Sequence, residues 1–360
     1  MMDETKTPNF ENMVCPLPLQ NHKTVVMGHG SGGRMTRDLI RKVFMPSLSN
    51  PALQAGNDFA SVLLPQDARL EGSLIMTTDS HIITPLVFPG GDIGKLSICG
   101  TVNDLAVSGA VPLYLTAGFI LEEGLPLDLL ESIVRSMQSA AAEAGVQIVA
   151  GDTKVAEKGK ADGLFITTSG VGWIPRGVNI AGDQAKPGDA VLISGTLGDH
   201  GIAVLSARGD LGFETDLVSD VAPLSDLIQS VLKAAPHTHV LRDPTRGGLA
   251  TTLNEIAEQS QISIHLDEGS IPVNPVVRSA CEMLGFDPLY VANEGKVIVI
   301  VPEAEAQAAL SAMQSHPYGS QAAKIGSVRA GDPGLVLLRT RIGGTRLLDM
   351  LAGEMLPRIC

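Results

Sequence analysis

Two α/β sandwich domains of similar size followed by a short tail, a mixed α+β or α/β class, is the fold the sequence predicts. Three observations lead there. The chain has 360 residues, enough for two ordinary hydrophobic cores. Short apolar or β-branched runs alternate along it with stretches of helical spacing, the pattern of layered α/β architectures. A Gly- and Pro-rich stretch at 175–188 interrupts that alternation near the middle of the chain. The expected organisation is a loose leader at 1–23, a first domain at 24–175, a second at 186–340, and a mobile tail at 341–360 that ends in Cys360.

The elements follow in order. The leader mixes charges with prolines and shows no period. Residues 35–44 carry a helical pattern behind the glycine-rich run His29-Gly30-Ser31-Gly32-Gly33. Residues 74–78 read as a strand that ends at Asp79. Between 129 and 144, Leu130, Ile133, Val134, Met137 and Ala141 fall on one helical face, and Gly145 follows as the stop. Residues 146–150 form a strand running into Gly151 and Asp152, and 164–171 form another. The second domain begins with a strand at 190–193. Helices are expected at 202–208, 224–234, 249–258, 276–284 and 304–314, and strands at 263–266, 296–301 and 336–339. Beyond Arg341 the pattern fades.

Composition excludes several classes of function. A formal charge of −13 argues against a nucleic-acid binder, which shows a basic face. There is no run of about 18 apolar residues to span a membrane, and residues 1–21 lack the basic start and apolar core of a signal peptide. Cys15, Cys99, Cys281 and Cys360 form neither a zinc pair nor a disulfide framework, so a reducing cytoplasm is expected. Cys360 is the last residue rather than the fourth from the end, so it is not a prenylation site. The eight histidines make no metal-binding pattern.

The candidate chemistry lies in acidic residues beside apolar runs: Asp58, Asp79, Asp104 and Asp152. Magnesium takes oxygen ligands, a few of them carboxylates and the rest substrate phosphates. Four separated aspartates are therefore candidates for a nucleotide–magnesium site, although each alone also reads as a cap or turn residue. Asp104 is the hardest to explain as a cap, since it lies among Leu96, Ile98, Val102, Leu105 and Val107. Lys154, two residues after Asp152, is placed to reach a phosphate as a point charge. The loop at 29–33 is a candidate phosphate wrap, but it matches neither the P-loop nor the GxGxxG pattern. The turn at 242–248 carries Arg242 and Arg246, with Asp243 read as its cap. Glu294 stands just before a buried strand.

These motifs in this order resemble the HypE family of hydrogenase maturation factors, the carbamoyl dehydratases. That family lies within the superfamily of aminoimidazole ribonucleotide synthetase, thiamine-monophosphate kinase and selenophosphate synthetase. The residues that carry the likeness are 29–33, 89–100, 102–109, 118–126, 151–154, 194–201, 243–248 and 292–296, with the terminal Pro357-Arg358-Ile359-Cys360. The resemblance implies the aminoimidazole ribonucleotide synthetase-like fold and a homodimer whose first domains pair their sheets. It implies ATP and Mg2+ bound near Asp58, Asp79, Asp104 and Asp152, with Asn103, Gly151 and Lys154 also at the nucleotide. It implies that a partner, HypF, carbamoylates Cys360, and that ATP-driven dehydration leaves a thiocyanate. The cyano group then passes to iron held by the HypC–HypD complex. In that chemistry Lys154 and Arg246 offset charge on the transferring phosphoryl group, and Glu294 is the candidate base. Two other readings stay open: a small-molecule kinase or ATP-dependent synthetase of the same superfamily, and a non-catalytic scaffold regulated by ATP.

Overall fold

The structure is a computed structural model that describes residues 23–30, 34–54, 72–209, 215–351 and Ile359. Asp58, Cys15, Cys360, residues 31–33 and the expected leader up to residue 22 lie outside the described residues.

The chain opens with short helices α1 (Arg34–Leu39), α2 (Met45–Leu48) and α3 (Pro51–Gln54). Strand β1 (Gly72–His81) and the small hairpin β2 (Val87–Phe88) and β3 (Gly91–Asp92) follow. Then come α4 (Ile93–Ala106), β4 (Val111–Glu122), α5 (Leu127–Ala144), β5 (Gln147–Ala156) and β6 (Leu164–Pro175). The four long strands form one sheet in the order β1-β6-β4-β5, antiparallel except for the parallel pair β4–β5. Helices α4 and α5 cover one face of it. The apolar face of α5 (Leu130, Ile133, Val134 and Met137) is fully buried there, and Gly145 closes the helix at a left-handed φ of 71°. Asp92 caps α4 by accepting from the Lys95 backbone N–H at 2.9 Å. Almost every residue of α4 is buried, because this helix lies between its own sheet, α5 and the second half of the chain.

The second half contains β7 (Asp189–Ile193), α6 (Asp199–Ala207), α7 (Ser225–Ala234), β8 (Val240–Arg242), α8 (Gly248–Ser260) and β9 (Ser263–Asp267). It continues with α9 (Pro275–Leu284), β10 (Ile298–Pro302), α10 (Glu303–Gln314), β11 (Ala323–Arg329), β12 (Val336–Arg339) and β13 (Thr345–Leu347). Seven strands pair in the order β13-β12-β9-β11-β7-β10-β8. Its central strands are buried on both faces. Leu192, Val299 and Val301 face α7 and α10, while Val191, Ile193, Ile298 and Ile300 face α8. This double burial explains why β7 and β10 read as unbroken apolar runs.

Two expectations are corrected. The strand expected to stop near residue 150 continues to Ala156, because Gly151, Asp152, Thr153 and Lys154 stay paired with β4. The chain beyond Arg341 is not a loose tail from its start. β13 pairs with β12, Leu348 is fully buried, and Asn254 donates to the Leu348 carbonyl at 2.9 Å. Strands β4 and β11 were not foreseen: Pro112, Thr116 and Gly118 break the apolar alternation of one, and a bulge near Lys324 interrupts the other. Among the described residues no helix is long and apolar enough to cross a membrane.

Candidate functional site

The two halves meet along a polar seam held by Asn103 on α4. Its amide donates to the carbonyls of Ala222, at 3.1 Å, and Glu294, at 3.3 Å, and its oxygen accepts from the Leu224 N–H at 2.8 Å. Both amide protons are thus engaged, which makes Asn103 a tie between the halves. Glu294 is buried beside it, its Oε1 without a hydrogen bond among the described residues. One residue of sequence either side of Gly295, a second buried network forms. Lys296 pairs with Asp220 at 2.9 Å and Asp199 at 3.8 Å, and the Glu294 backbone N–H donates to Asp220 at 3.1 Å.

Acidic side chains converge on this seam from both halves. Asp104 and Asp243 line one cleft of about 500 Å3 together with Thr77, Arg242 and Arg246. Thr77 donates to Asp104 at 3.1 Å. Burial, then the negative charges of Asp243 and Asp79, push the Asp104 carboxyl up to about 7. Burial raises Asp243 as well, and it drives Glu294 well above the ordinary glutamate value, with Asp220, Asp243 and Asp79 adding repulsion. Asp79 differs. Burial opposes its ionisation, but the hydrogen bond and charge of His81, 3.1 Å away, outweigh this and hold it low. The cleft is therefore a set of mutually repelling carboxyls with Arg246 as a nearby cation. Such a set is suited to a divalent cation, which would relieve the repulsion. Among the described residues no three His, Cys, Asp or Glu side chains converge as a ready ion site, so phosphate oxygens would have to complete one.

Asp152 and Lys154 are elsewhere. Across the first sheet Ser80 pairs with Thr167, Thr167 with Gly118, and Gly118 with Asp152. Paired positions share a face, so Asp152 points to the side of Ser80 and away from that of Asp79. Three strand spacings also separate them, roughly 14 Å. Lys154, next but one on β5, shares this uncovered face and pairs with Asp152 at 2.8 Å, which holds the Asp152 carboxyl low. Gly151 lies beside them at the exposed edge. Gly30, in the described start of the glycine-rich run, packs against the same strand: a Cβ there would lie 2.7 Å from the Val155 backbone nitrogen. One chain thus brings Asp79, Asp104, Arg246 and Glu294 together, and sets Gly151, Asp152 and Lys154 apart from them.

The chain's last described residue returns to the seam. Ile359 is buried and makes an antiparallel bridge with Ile83, two residues past His81. Its carbonyl accepts from His200 Nε2 at 2.7 Å. Sequence reasoning missed Asp220, and it held Asp243 and His200 only within the 243–248 and 194–201 motifs, without a role for either side chain beyond a turn cap at Asp243. Asp243 carried a signal all the same, since it follows the apolar Val240-Leu241 after the single residue Arg242 and precedes a proline. Asp220 stands in a loop with no period to flag it.

Comparison with known proteins agrees with this geometry. Residues 57–174 match the model for the AIR synthase related protein, N-terminal domain, and residues 186–337 match the corresponding C-terminal domain. Carbamoyl dehydratase HypE of Cupriavidus necator is 54% identical over 345 residues, 96% of this chain and 97% of that protein. A solved hydrogenase maturation protein HypE in complex with ATP superposes with a TM-score of 0.88 at 50% identity, covering 93% of this chain and 99% of that one. A chain of a HypE–HypF complex matches with a TM-score of 0.75 at 50% identity, covering 87% of this chain and 99% of that one. With both domain models matched in order and half of all residues shared over nearly the full length, the chain belongs to the HypE family of carbamoyl dehydratases, within the AIR synthase related proteins.

Proposed function

We propose that this chain is a carbamoyl dehydratase of hydrogenase maturation, which uses ATP to convert a carbamoyl group on its own Cys360 into a thiocyanate. The observation that carries this reading is that Ile359, the neighbour of the terminal cysteine, is anchored at the seam that gathers Asp79, Asp104, Asp243, Arg246 and Glu294. Such an anchor would bring the substrate's point of attachment toward the phosphate-handling groups.

The chemistry follows from the residues. The carbamoyl oxygen is a poor leaving group until it takes the γ-phosphoryl of ATP, releasing ADP and one amide proton. Expulsion of that phosphate, with loss of the second nitrogen proton, forms the carbon–nitrogen triple bond. Asp79, Asp104 and Asp243 would hold magnesium, which supplies charge neutralisation for the phosphoryl oxygens. Arg246 bears on the same charge from the cleft. Burial raises the Glu294 carboxyl well above the ordinary glutamate value. It would act as a base for the nitrogen protons where nearby positive charge favours its ionised form.

Lys154 and Asp152 complete the site from a second copy. The uncovered sheet face exposes Leu74, Met76 and Ile120 at 54%, 77% and 44%, a surface suited to burial in a homodimer that pairs the two sheets. Pairing them would also bring one subunit's β5 edge toward its partner's β1, so that Asp152 and Lys154 of one chain would approach the site of Asp79 and Asp104 in the other. The first domain then spans 24–175, and the second runs from 186 past the expected end at 340 to include β13 and Leu348. HypF would load the thiol, and the HypC–HypD complex would receive the cyano group. The test is mass analysis of the C-terminal peptide after incubation with HypF, carbamoyl phosphate and ATP. The expected result is carbamoyl addition followed by loss of one water, both abolished in protein lacking Cys360. Full turnover of a free metabolite by the truncated protein would instead identify a small-molecule kinase.

A further inference from the structure

His200 occupies a position that neither the phosphoryl chemistry nor the folding of its own helix demands. It is fully buried near the start of α6, where Phe88 meets its ring edge-on at 5.5 Å. Both ring nitrogens are committed. The Ile359 carbonyl can only accept, so Nε2 carries the proton of that 2.7 Å bond. Nδ1 is then the acceptor for the Ser219 hydroxyl at 2.8 Å, and Ser219 Oγ in turn accepts from the Val221 N–H at 3.1 Å. Burial disfavours the charged imidazole and keeps the ring in this neutral, single-tautomer state. The result is an orientable donor, fixed from behind and aimed at the backbone one residue before the chain end.

Its partner contact adds direction. Ile359 bridges Ile83 in the antiparallel sense, and in such a pairing a following residue is carried toward the preceding residues of the opposite strand. Those residues lead to His81 and Asp79, the strand end that faces the carboxylate cleft. An isolated bridge supplies little register by itself, because one residue's slip turns the side chains to the other face. A second point of attachment on the same residue removes that freedom.

We propose that His200 is a positioning residue for the dehydration: through its Nε2–H bond to the Ile359 carbonyl it fixes the register of the chain end and so presents the Cys360 thiocarbamate to the cleft. This rests on the carbamoyl dehydratase reading and names the device that orients its tethered substrate. His200 does not touch the reacting atoms. A shift of about 1 Å in a reacting group costs as much as a hundredfold in rate, so loss of the bond is felt in the chemical step.

The test uses the full-length protein with His200→Phe, which keeps the ring volume but loses the donor, and His200→Gln, which keeps a donor near the Nε2 position. Two readouts are taken: the rate of alkylation of the C-terminal thiol, followed on the terminal peptide, and the rate at which the carbamoylated form loses water after incubation with HypF, carbamoyl phosphate and ATP. His200→Phe is expected to alkylate faster and to dehydrate at least about tenfold more slowly, at unchanged ATP affinity. His200→Gln recovers most of both. Wild-type rates in His200→Phe, or equal losses in both variants, overturn the proposal. If His200→Phe does not fold, Ser219→Ala, which releases the ring from behind, is expected to shift both readouts in the same direction, and no shift overturns the proposal. Wild-type protein that never loses water refutes the dehydratase reading, and the alkylation rates still decide the docking role by themselves.

Discussion

Asp104 shows how much one residue discloses. Its place among apolar neighbours marked it from the sequence as a carboxylate without a bland explanation, and it is indeed half-buried, facing other acids. Its carboxyl is raised from 3.8 to about 7, so between those values the folded chain binds more protons than the unfolded one. Stability therefore falls as pH rises through that window. Asp104→Asn removes the charge and leaves the oxygen that Thr77 donates to. In metal-free, nucleotide-free protein this variant is expected to melt about 2–4 °C above wild type at pH 8 and level with it at pH 4. Equal melting of the two proteins at both pH values would rule out the buried charge. Asp243 was less legible because a cap and a buried ligand look alike in sequence. Both stand in a turn after an apolar run, and only the opposing α4 distinguishes them.

At the scale of elements, β5 and the seam carry the lesson. The helix at α5 was readable to within two residues because its apolar stripe and its closing glycine are local signals. The extent of β5 was not, since polar residues Asp152 and Lys154 remain in the strand only through pairing with β4, a partner distant in sequence. That difference moves the pair from a loop beside the phosphates to an exposed sheet edge. Asn103 illustrates the same limit: its motif suggested a nucleotide contact, whereas its amide ties α4 to the loop before α7 and to the Glu294 backbone. Asn103→Ala leaves three backbone groups unsatisfied and is expected to cost about 1–3 kcal/mol for each that water cannot reach. Urea unfolding measures this. A variant as stable as wild type, with ATP binding lost, would return Asn103 to the nucleotide.

At the scale of the whole molecule, the sequence showed two domains and a family likeness but not that the candidate residues fall into two groups. Their separation is visible only once the strand order puts β1 and β5 at opposite edges with their acidic groups on opposite faces. If two chains share each site, Lys154→Ala and Asp104→Asn are each inactive alone. Co-expressed, they form mixed dimers with one intact site, and random pairing restores about a quarter of wild-type turnover. No recovery would place Lys154 and Asp104 in the same chain's site. If the two sheets pair, Met76→Glu, on the exposed face, is expected to shift the protein toward monomer in sedimentation and to lower turnover with it.

The anchoring of Ile359 by a single bridge and one imidazole also has a kinetic meaning. A reactant delivered on its own backbone arrives at an effective concentration set by the tether, independent of how much protein is present. While the homodimer persists, dilution should leave the dehydration rate unchanged and slow every encounter that loads or unloads the thiol. Two attachments worth about 1 kcal/mol each make a shallow hold. The chain end then exchanges between held and released forms, and it departs readily to be handed to the next protein.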